Sequence, residues 1–311
     1  MSVAFLFSGQ GAQSAGMGEE LYYAFPCVKQ AIDKASTLLG EDLTELSFVE
    51  NEKMNWTPYT QPLLLSWSYA FSCLLNEYGI VPEKVAGLSL GEYTALVSAG
   101  VLSFEEAVPL VQKRGRFMDQ ACPKEVGAMA AIMGMDRDII EEVCRKVSID
   151  SYAAAANYNM PGQIVIGGER RGVEKAAAIL KEEGAKKIVP LSVSGPFHTQ
   201  LLKPAADQLR EELENVSFHM PSIPVYSNTL GKKFKNKEEI KQTLVRQVME
   251  PVYFEDMIQQ MIQDGTDTFI EIGPGRVLSR FVKKIDKNVT SLNVQDQKSL
   301  EKTLEFLQVK V

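Results

Sequence analysis

An α/β fold with a mainly parallel sheet, interrupted by a small inserted layer, is what this 311-residue chain predicts. Three observations point there. Short apolar runs at Val3–Phe7, 84–88 and Thr268–Ile272 each end in a glycine-rich turn, which suits strands buried on both faces. Stretches with helical character separate these runs, and alternating strands and helices imply a parallel sheet covered on both sides. Between them, residues 127–193 read β-α-β-β-α-β, the ferredoxin-like order, which can close as a layer of its own.

Each element has its own signal. The first strand runs into Ser8-Gly9-Gln10-Gly11, and a long apolar helix is expected over 62–78. The second strand leads through Ser89-Leu90-Gly91 into a helix over 93–98, and another helix covers 104–119 with Arg114 on it. In the inserted layer Gly127–Met133 reads as a strand and 138–147 as a helix. Strands over 152–157 and 163–166 follow, joined by the turn Asn159-Met160-Pro161-Gly162. A helix over 172–183 and a last strand over 187–193 complete the pattern. The α/β pattern then resumes, with buried strands expected at 225–227 and Thr268–Ile272. The division is therefore 1–123 with 198–311 as the core, and 124–197 as the inserted ferredoxin-like subdomain.

Composition narrows the function. Hydrophobic residues make up 45% and charged residues 23%, enough for a sizeable core and too apolar for a disordered chain. A net charge of -7 argues against nucleic acid as the main partner, since phosphate binding favours a basic surface. The four cysteines are widely spaced and form no CxxC pair, and two histidines cannot complete a finger-type zinc site. They read as reduced thiols, and the polar turn directly after Phe7 does not suit a signal peptide. A cytoplasmic location is the expectation.

Gly87-Leu88-Ser89-Leu90-Gly91 matches G-x-S-x-G between an apolar strand and a helix. That context suits a sharp strand-to-helix turn presenting an exposed serine, with the helix N-terminus aimed at any oxyanion formed beside it. The other reading is a tight turn whose serine caps the helix. A serine nucleophile needs a base, and only His198 and His219 are available. His198 follows a strand into the loop Gly195-Pro196-Phe197-His198, where active-site residues gather; His219 sits in an alternating segment. Position favours His198. The turn at Gly9-Gln10-Gly11 is either a second source of backbone donors or a simple glycine turn. Arg114 is either one of several solvated cations or a fork that holds a substrate carboxylate.

Taken in order, these segments resemble one family. They are Phe7-Ser8-Gly9-Gln10-Gly11, Gly87-Leu88-Ser89-Leu90-Gly91-Glu92-Tyr93, Gln112-Lys113-Arg114-Gly115 and Gly127-Ala128-Met129-Ala130-Ala131. Asn157-Tyr158-Asn159-Met160-Pro161-Gly162-Gln163, Gly195-Pro196-Phe197-His198, Val245-Arg246-Gln247 and Glu271-Ile272-Gly273-Pro274-Gly275 continue the series. The chain is similar, nearly end to end, to the malonyl-CoA:acyl carrier protein transacylases of type II fatty acid synthesis and to the acyltransferase domains of polyketide synthases.

The resemblance implies a hydrolase-like α/β core with the ferredoxin-like insertion. It makes Ser89 the acylated nucleophile, His198 its base, the backbone amides of Gln10 and Leu90 the oxyanion hole, and Arg114 the malonyl clamp. No acidic third member is implied; a backbone carbonyl near Gln247 orients the imidazole. Gln163 is placed near the substrate, and Phe197 suits malonyl rather than methylmalonyl selectivity. Leu88 departs from the family's common histidine before the nucleophile, which removes any hydrogen bond from that position. Malonyl-CoA is the implied substrate, with no bound cofactor or metal, and an acyl carrier protein is the partner of an expected monomer. Lys186, Lys187, Lys283 and Lys284 are candidate contacts to that acidic carrier, the other reading being scattered solvated lysines. The competing functions are a stand-alone acyltransferase or acyl hydrolase of a polyketide assembly line, and an idle carrier-binding module. A lipase-like esterase is disfavoured because its order asks for a histidine late in the chain.

Overall fold

The computed structural model describes residues 1–123 and 125–309, so Lys124, where the expected inner boundary falls, lies outside the described residues. In chain order the core opens with β1 (Val3–Phe7), α1 (Glu19–Ala24), α2 (Pro26–Leu39), α3 (Leu43–Phe48), α4 (Thr57–Glu77), β2 (Lys84–Gly87), α5 (Leu90–Ser98) and α6 (Phe104–Ala121). Next come β3 (Gly127–Met133), α7 (Arg137–Val147), β4 (Ala153–Met160), β5 (Gln163–Glu169), α8 (Arg170–Glu182) and β6 (Lys187–Pro190). The chain returns through α9 (Lys203–Glu214), α10 (Lys237–Gln247), β7 (Val252–Tyr253), α11 (Phe254–Gln263), β8 (Thr268–Ile272), α12 (Val277–Ile285), β9 (Thr290–Val294) and α13 (Gln297–Phe306).

The core sheet has the order β2-β1-β8-β9 with every pairing parallel, and β1 and β8 lie at its centre. Val3–Phe7 is almost wholly buried and β8 entirely so, as a sheet covered on both faces requires. The second sheet has the order β6-β3-β5-β4-β7. Its first four strands pair antiparallel, while β7, supplied by the returning chain, joins β4 in parallel. The fold is thus α/β, a parallel core sheet beside a small mixed one. Parallel strands direct their C-terminal ends to one edge of the core sheet, and the turns after β1, β2 and β8 gather there. No helix among the described residues is long and apolar enough to cross a membrane.

Four expectations need correction. The long helix begins at Thr57, five residues before Pro62. Pro58 sits in its first turn, where amides lack partners anyway; Pro62 is carried inside a helix buried on nearly all sides, so burial outweighs one lost hydrogen bond. Residues 225–227 do not form a strand. Val225 makes a single parallel bridge to Val85 and Tyr226 a single antiparallel one to Lys233, because Pro224 has no N–H and the chain turns again at once. The strand expected over 187–193 stops at Pro190, and Leu191 and Val193 continue as a loop along the cleft. The turn expected at 159–162 contracts to Pro161 and Gly162, since β4 runs through Met160 and β5 resumes at Gln163; Gly162 adopts φ 72°.

Candidate active site

The turn after β2 is a strained elbow. Ser89 has φ 54° and ψ -100°, a region that costs a non-glycine residue of order 1–3 kcal/mol and needs surrounding bonds to hold it. Its two glycines are sterically required. A Cβ on Gly87 would lie 2.0 Å from the carbonyl carbon of Gly91, and one on Gly91 would lie 2.1 Å from the carbonyl oxygen of Phe7. A Cβ on Gly9 would lie 2.5 Å from the Leu88 carbonyl oxygen, so the β1 turn carrying Gln10 presses against the elbow. Helix α5 starts at Leu90 immediately after the serine. Within this turn the amides of Ser89, Gly91 and Glu92 are engaged by Asn228 Oδ1, Leu88 O and Ser89 O respectively. The Leu90 amide has no such partner among the described residues.

His198 reaches the serine across 109 positions of sequence, with Nε2 2.8 Å from Ser89 Oγ. Its Nδ1 lies 2.7 Å from the backbone carbonyl of Gln247, which can only accept. Nδ1 therefore carries the proton, and Nε2 is left to accept from the serine hydroxyl. The backbone is fixed as well: His198 adopts φ 60° and its amide donates to the Val248 carbonyl at 3.1 Å. Burial, followed by the nearby Arg114 charge, pushes its pKa down to about 4, so the ring is neutral near pH 7 with Nε2 free to accept.

Arg114 comes from α6 and is almost completely buried. Its Nη1 donates to Gln61 Oε1 at 2.7 Å; Nη2 donates to Gln247 Oε1 at 3.0 Å and to Ser89 Oγ at 3.3 Å. The Nε is buried without a partner, and the guanidinium sits 5.2 Å from the Tyr93 ring centroid. Its hydrogen-bond partners are neutral and the buried Glu92 carboxyl acts on it only through space, so the fork can still receive an anion directly. The carboxyl of Glu92, wholly buried in the first turn of α5, is raised by burial to about 7.

A cleft of about 200 Å³ opens over these groups. Gln10, Ser89, Leu90, Arg114, Phe197 and His198 all line it, so six of the residues singled out in the sequence meet there. Leu88 lines the same cleft beside Val277 and Phe281 of α12, an apolar wall where a histidine would have been polar. Gln247 stands behind the cleft, its Nε2 also donating to the Ser89 carbonyl at 3.1 Å. Gln163 is not among the lining residues and reaches them through Asn159, whose Nδ2 lies 3.4 Å from its Oε1. His219 is exposed, does not line the cleft, and hydrogen-bonds through its amide to the Val101 carbonyl just past α5. Lys186 and Lys187 are exposed at β6 and Lys283 and Lys284 at the end of α12, with Lys283 Nζ held by the Val289 carbonyl at 2.6 Å.

Sequence reasoning missed several participants. Asn157 and Asn159 line the cleft from β4, two positions apart and so on one face of the strand. Two amides alternating within a buried strand were a usable signal. Gln61 and Asn228 gave none, because a single amide in a helix or loop has no pattern.

Comparison with known proteins agrees with this geometry. Residues 4–302 match the family model described as "Acyl transferase domain". The malonyl CoA-acyl carrier protein transacylase of Bacillus subtilis is 46% identical over 307 residues, covering 98% of this chain and 97% of that protein. The crystal structure of MCAT from Streptococcus pneumoniae superposes with a TM-score of 0.95 at 50% identity, covering 98% of this chain and 100% of the other. A type II PKS acyl-carrier protein in complex with its malonyl-transacylase gives a TM-score of 0.96 at 41% identity, covering 98% and 100%. A nearly full-length family match, laid over a strained serine paired with a buried histidine, establishes that the chain belongs to the acyl transferase domain family.

Proposed function

We propose that this enzyme transfers a malonyl group from malonyl-CoA to the phosphopantetheine thiol of an acyl carrier protein, through a malonyl-serine ester at Ser89, and so supplies fatty acid synthesis. The observation that carries this reading is the buried Arg114 guanidinium, 3.3 Å from Ser89 Oγ and bound only to neutral groups. A malonyl carboxylate pairs directly with this fork and sets the thioester carbonyl over the serine. As Oγ attacks that carbonyl, His198 Nε2 takes the hydroxyl proton, and the amides of Gln10 and Leu90 receive the oxyanion. Collapse breaks the C–S bond, and the proton returns from His198 to the coenzyme A sulfur. The carrier's thiol then repeats the sequence on the ester carbonyl, His198 taking the thiol proton and returning it to Ser89.

Gln247 has two tasks in this scheme: its carbonyl orients the imidazole and its side chain shares Arg114 with the substrate. Residues 124–197 act as a small subdomain forming one wall of the cleft, and Phe197 closes it toward bulkier acyl groups. Gln163 acts at one remove, by orienting Asn159. Lys186, Lys187, Lys283 and Lys284 contribute to a cationic approach for the carrier. A hydrolase gains nothing from a malonyl clamp, so Arg114 favours transfer over hydrolysis. The test is transfer from malonyl-, methylmalonyl- and acetyl-CoA to a holo carrier protein, with free malonate measured alongside. Malonyl-carrier product with little malonate supports the reading; malonate as the main product from malonyl-CoA overturns it.

A further inference from the structure

Asn228 is wholly buried, and each of its polar groups is engaged at the elbow or its supports. Its side-chain Nδ2 donates to the Gly87 carbonyl at 2.6 Å, and its Oδ1 accepts from the Ser89 amide at 2.5 Å. The orientation of the amide is fixed by these partners, since the Gly87 carbonyl can only accept and the Ser89 N–H can only donate. The backbone of Asn228 is pinned in turn. Its N–H donates to Glu92 Oε2 at 2.6 Å, and its carbonyl accepts from the Tyr253 amide at 2.8 Å.

We infer that Asn228 is a positioning residue for the acylation step, tying down the strand end that leads into Ser89 and so holding its hydroxyl in line with His198. The inference rests on Ser89 being the nucleophile. The two bonds span Leu88 and fix the approach to the one residue of the turn whose backbone a serine does not adopt unaided, while Gln247 Nε2 holds the Ser89 carbonyl beyond it. Engagement of the Ser89 amide also keeps that donor away from the oxyanion and reserves the Leu90 amide for it. Glu92 completes the brace from the first turn of the helix that follows the nucleophile, so elbow, helix and loop are closed into one ring of hydrogen bonds. A buried asparagine that merely filled its loop would have no reason to bond both the Gly87 carbonyl and the Ser89 amide.

The test compares full-length wild type with Asn228→Ala and Asn228→Asp, the second keeping an acceptor for the Ser89 amide but losing the donor to Gly87. Steady-state kcat and KM, single-turnover formation of the malonyl adduct, and thermal unfolding are measured for each. In Asn228→Ala, kcat and the acylation rate are expected to fall about 100-fold while KM for malonyl-CoA stays within about threefold, because the clamp and cleft are untouched. Asn228→Asp is expected to lose kcat in the same sense. An acylation rate close to wild type in folded Asn228→Ala overturns the inference, as does a loss confined to KM. Failure of both variants to fold also overturns it, by assigning the side chain to the fold rather than to the serine. Absence of any adduct on wild type is a different result, and rejects Ser89 as the nucleophile.

Discussion

Burial and the neighbouring Arg114 charge both disfavour a second proton on His198, and both act before substrate binds. A lowered pKa means that the ring stays neutral until the pH falls toward about 4, instead of titrating near the ordinary value of 6.5. The acid limb of kcat/KM for malonyl-CoA, which reports the free enzyme, is therefore expected well below 6.5. A pH–rate profile of Arg114→Gln should show that limb moved upward, because the repelling charge is gone. A limb near 6.5 in both proteins would contradict the electrostatic reading. The same arginine gives a selectivity prediction. Removing a charge-assisted contact costs about 1.5–3 kcal/mol, so Arg114→Ala should lose roughly 10–100-fold more kcat/KM on malonyl-CoA than on acetyl-CoA. Equal losses on the two substrates would reduce Arg114 to a structural role.

The strand-to-helix elbow is built from contacts too close for any side chain at Gly87 or Gly91. Gly87→Ala places a methyl group 2.0 Å from the Gly91 carbonyl carbon, where backbone rather than a flexible side chain must yield. Overpacking of this kind should destabilise the protein by about 3 kcal/mol in denaturant titration and abolish adduct formation. Normal stability with normal acylation would show that the turn is slack. This element was legible in the sequence because an apolar strand, a G-x-S-x-G turn and a helix follow without a break. Other elements were not. Strand β7 is two residues long, too short for any periodicity, and β9 is half-buried along most of its length, so Thr290–Val294 lacks the apolar run that marked β8. The helix α3 did carry a signal that was passed over: Asp42 caps it by accepting from the amides of Thr44 and Glu45. Pro62 hid the true start of α4, because a proline marks a helix boundary only when burial does not override it.

Two sheets make the cleft, and their junction is specific. Parallel pairing of β7 with β4 brings Tyr253 against Tyr158, stacked at 5.0 Å, with the Arg137 guanidinium 3.8 Å from the Tyr158 centroid. Arg137 also pairs with Asp256 of α11 at 3.2 Å. Because this cluster is partly exposed, Arg137→Ala should cost only about 1 kcal/mol in thermal or denaturant unfolding. A loss several times larger would mean that the two layers depend on it to fold together. At this scale the sequence pointed to residues that the fold brings together, since Ser89 sits in a G-x-S-x-G turn and His198 is one of two histidines. It was silent on the amides of Gln61 and Asn228, and of Gln247 it implied only the backbone carbonyl, as neutral side chains acquire meaning only once their neighbours are known. Intact-mass spectrometry of the protein mixed with malonyl-CoA, with the modified peptide mapped, reaches furthest into the whole account. Wild type should gain the mass of one malonyl group on Ser89, His198→Ala should gain it far more slowly, and Ser89→Ala should gain none. A malonyl adduct that persists in Ser89→Ala, or one mapped to another residue, would contradict it.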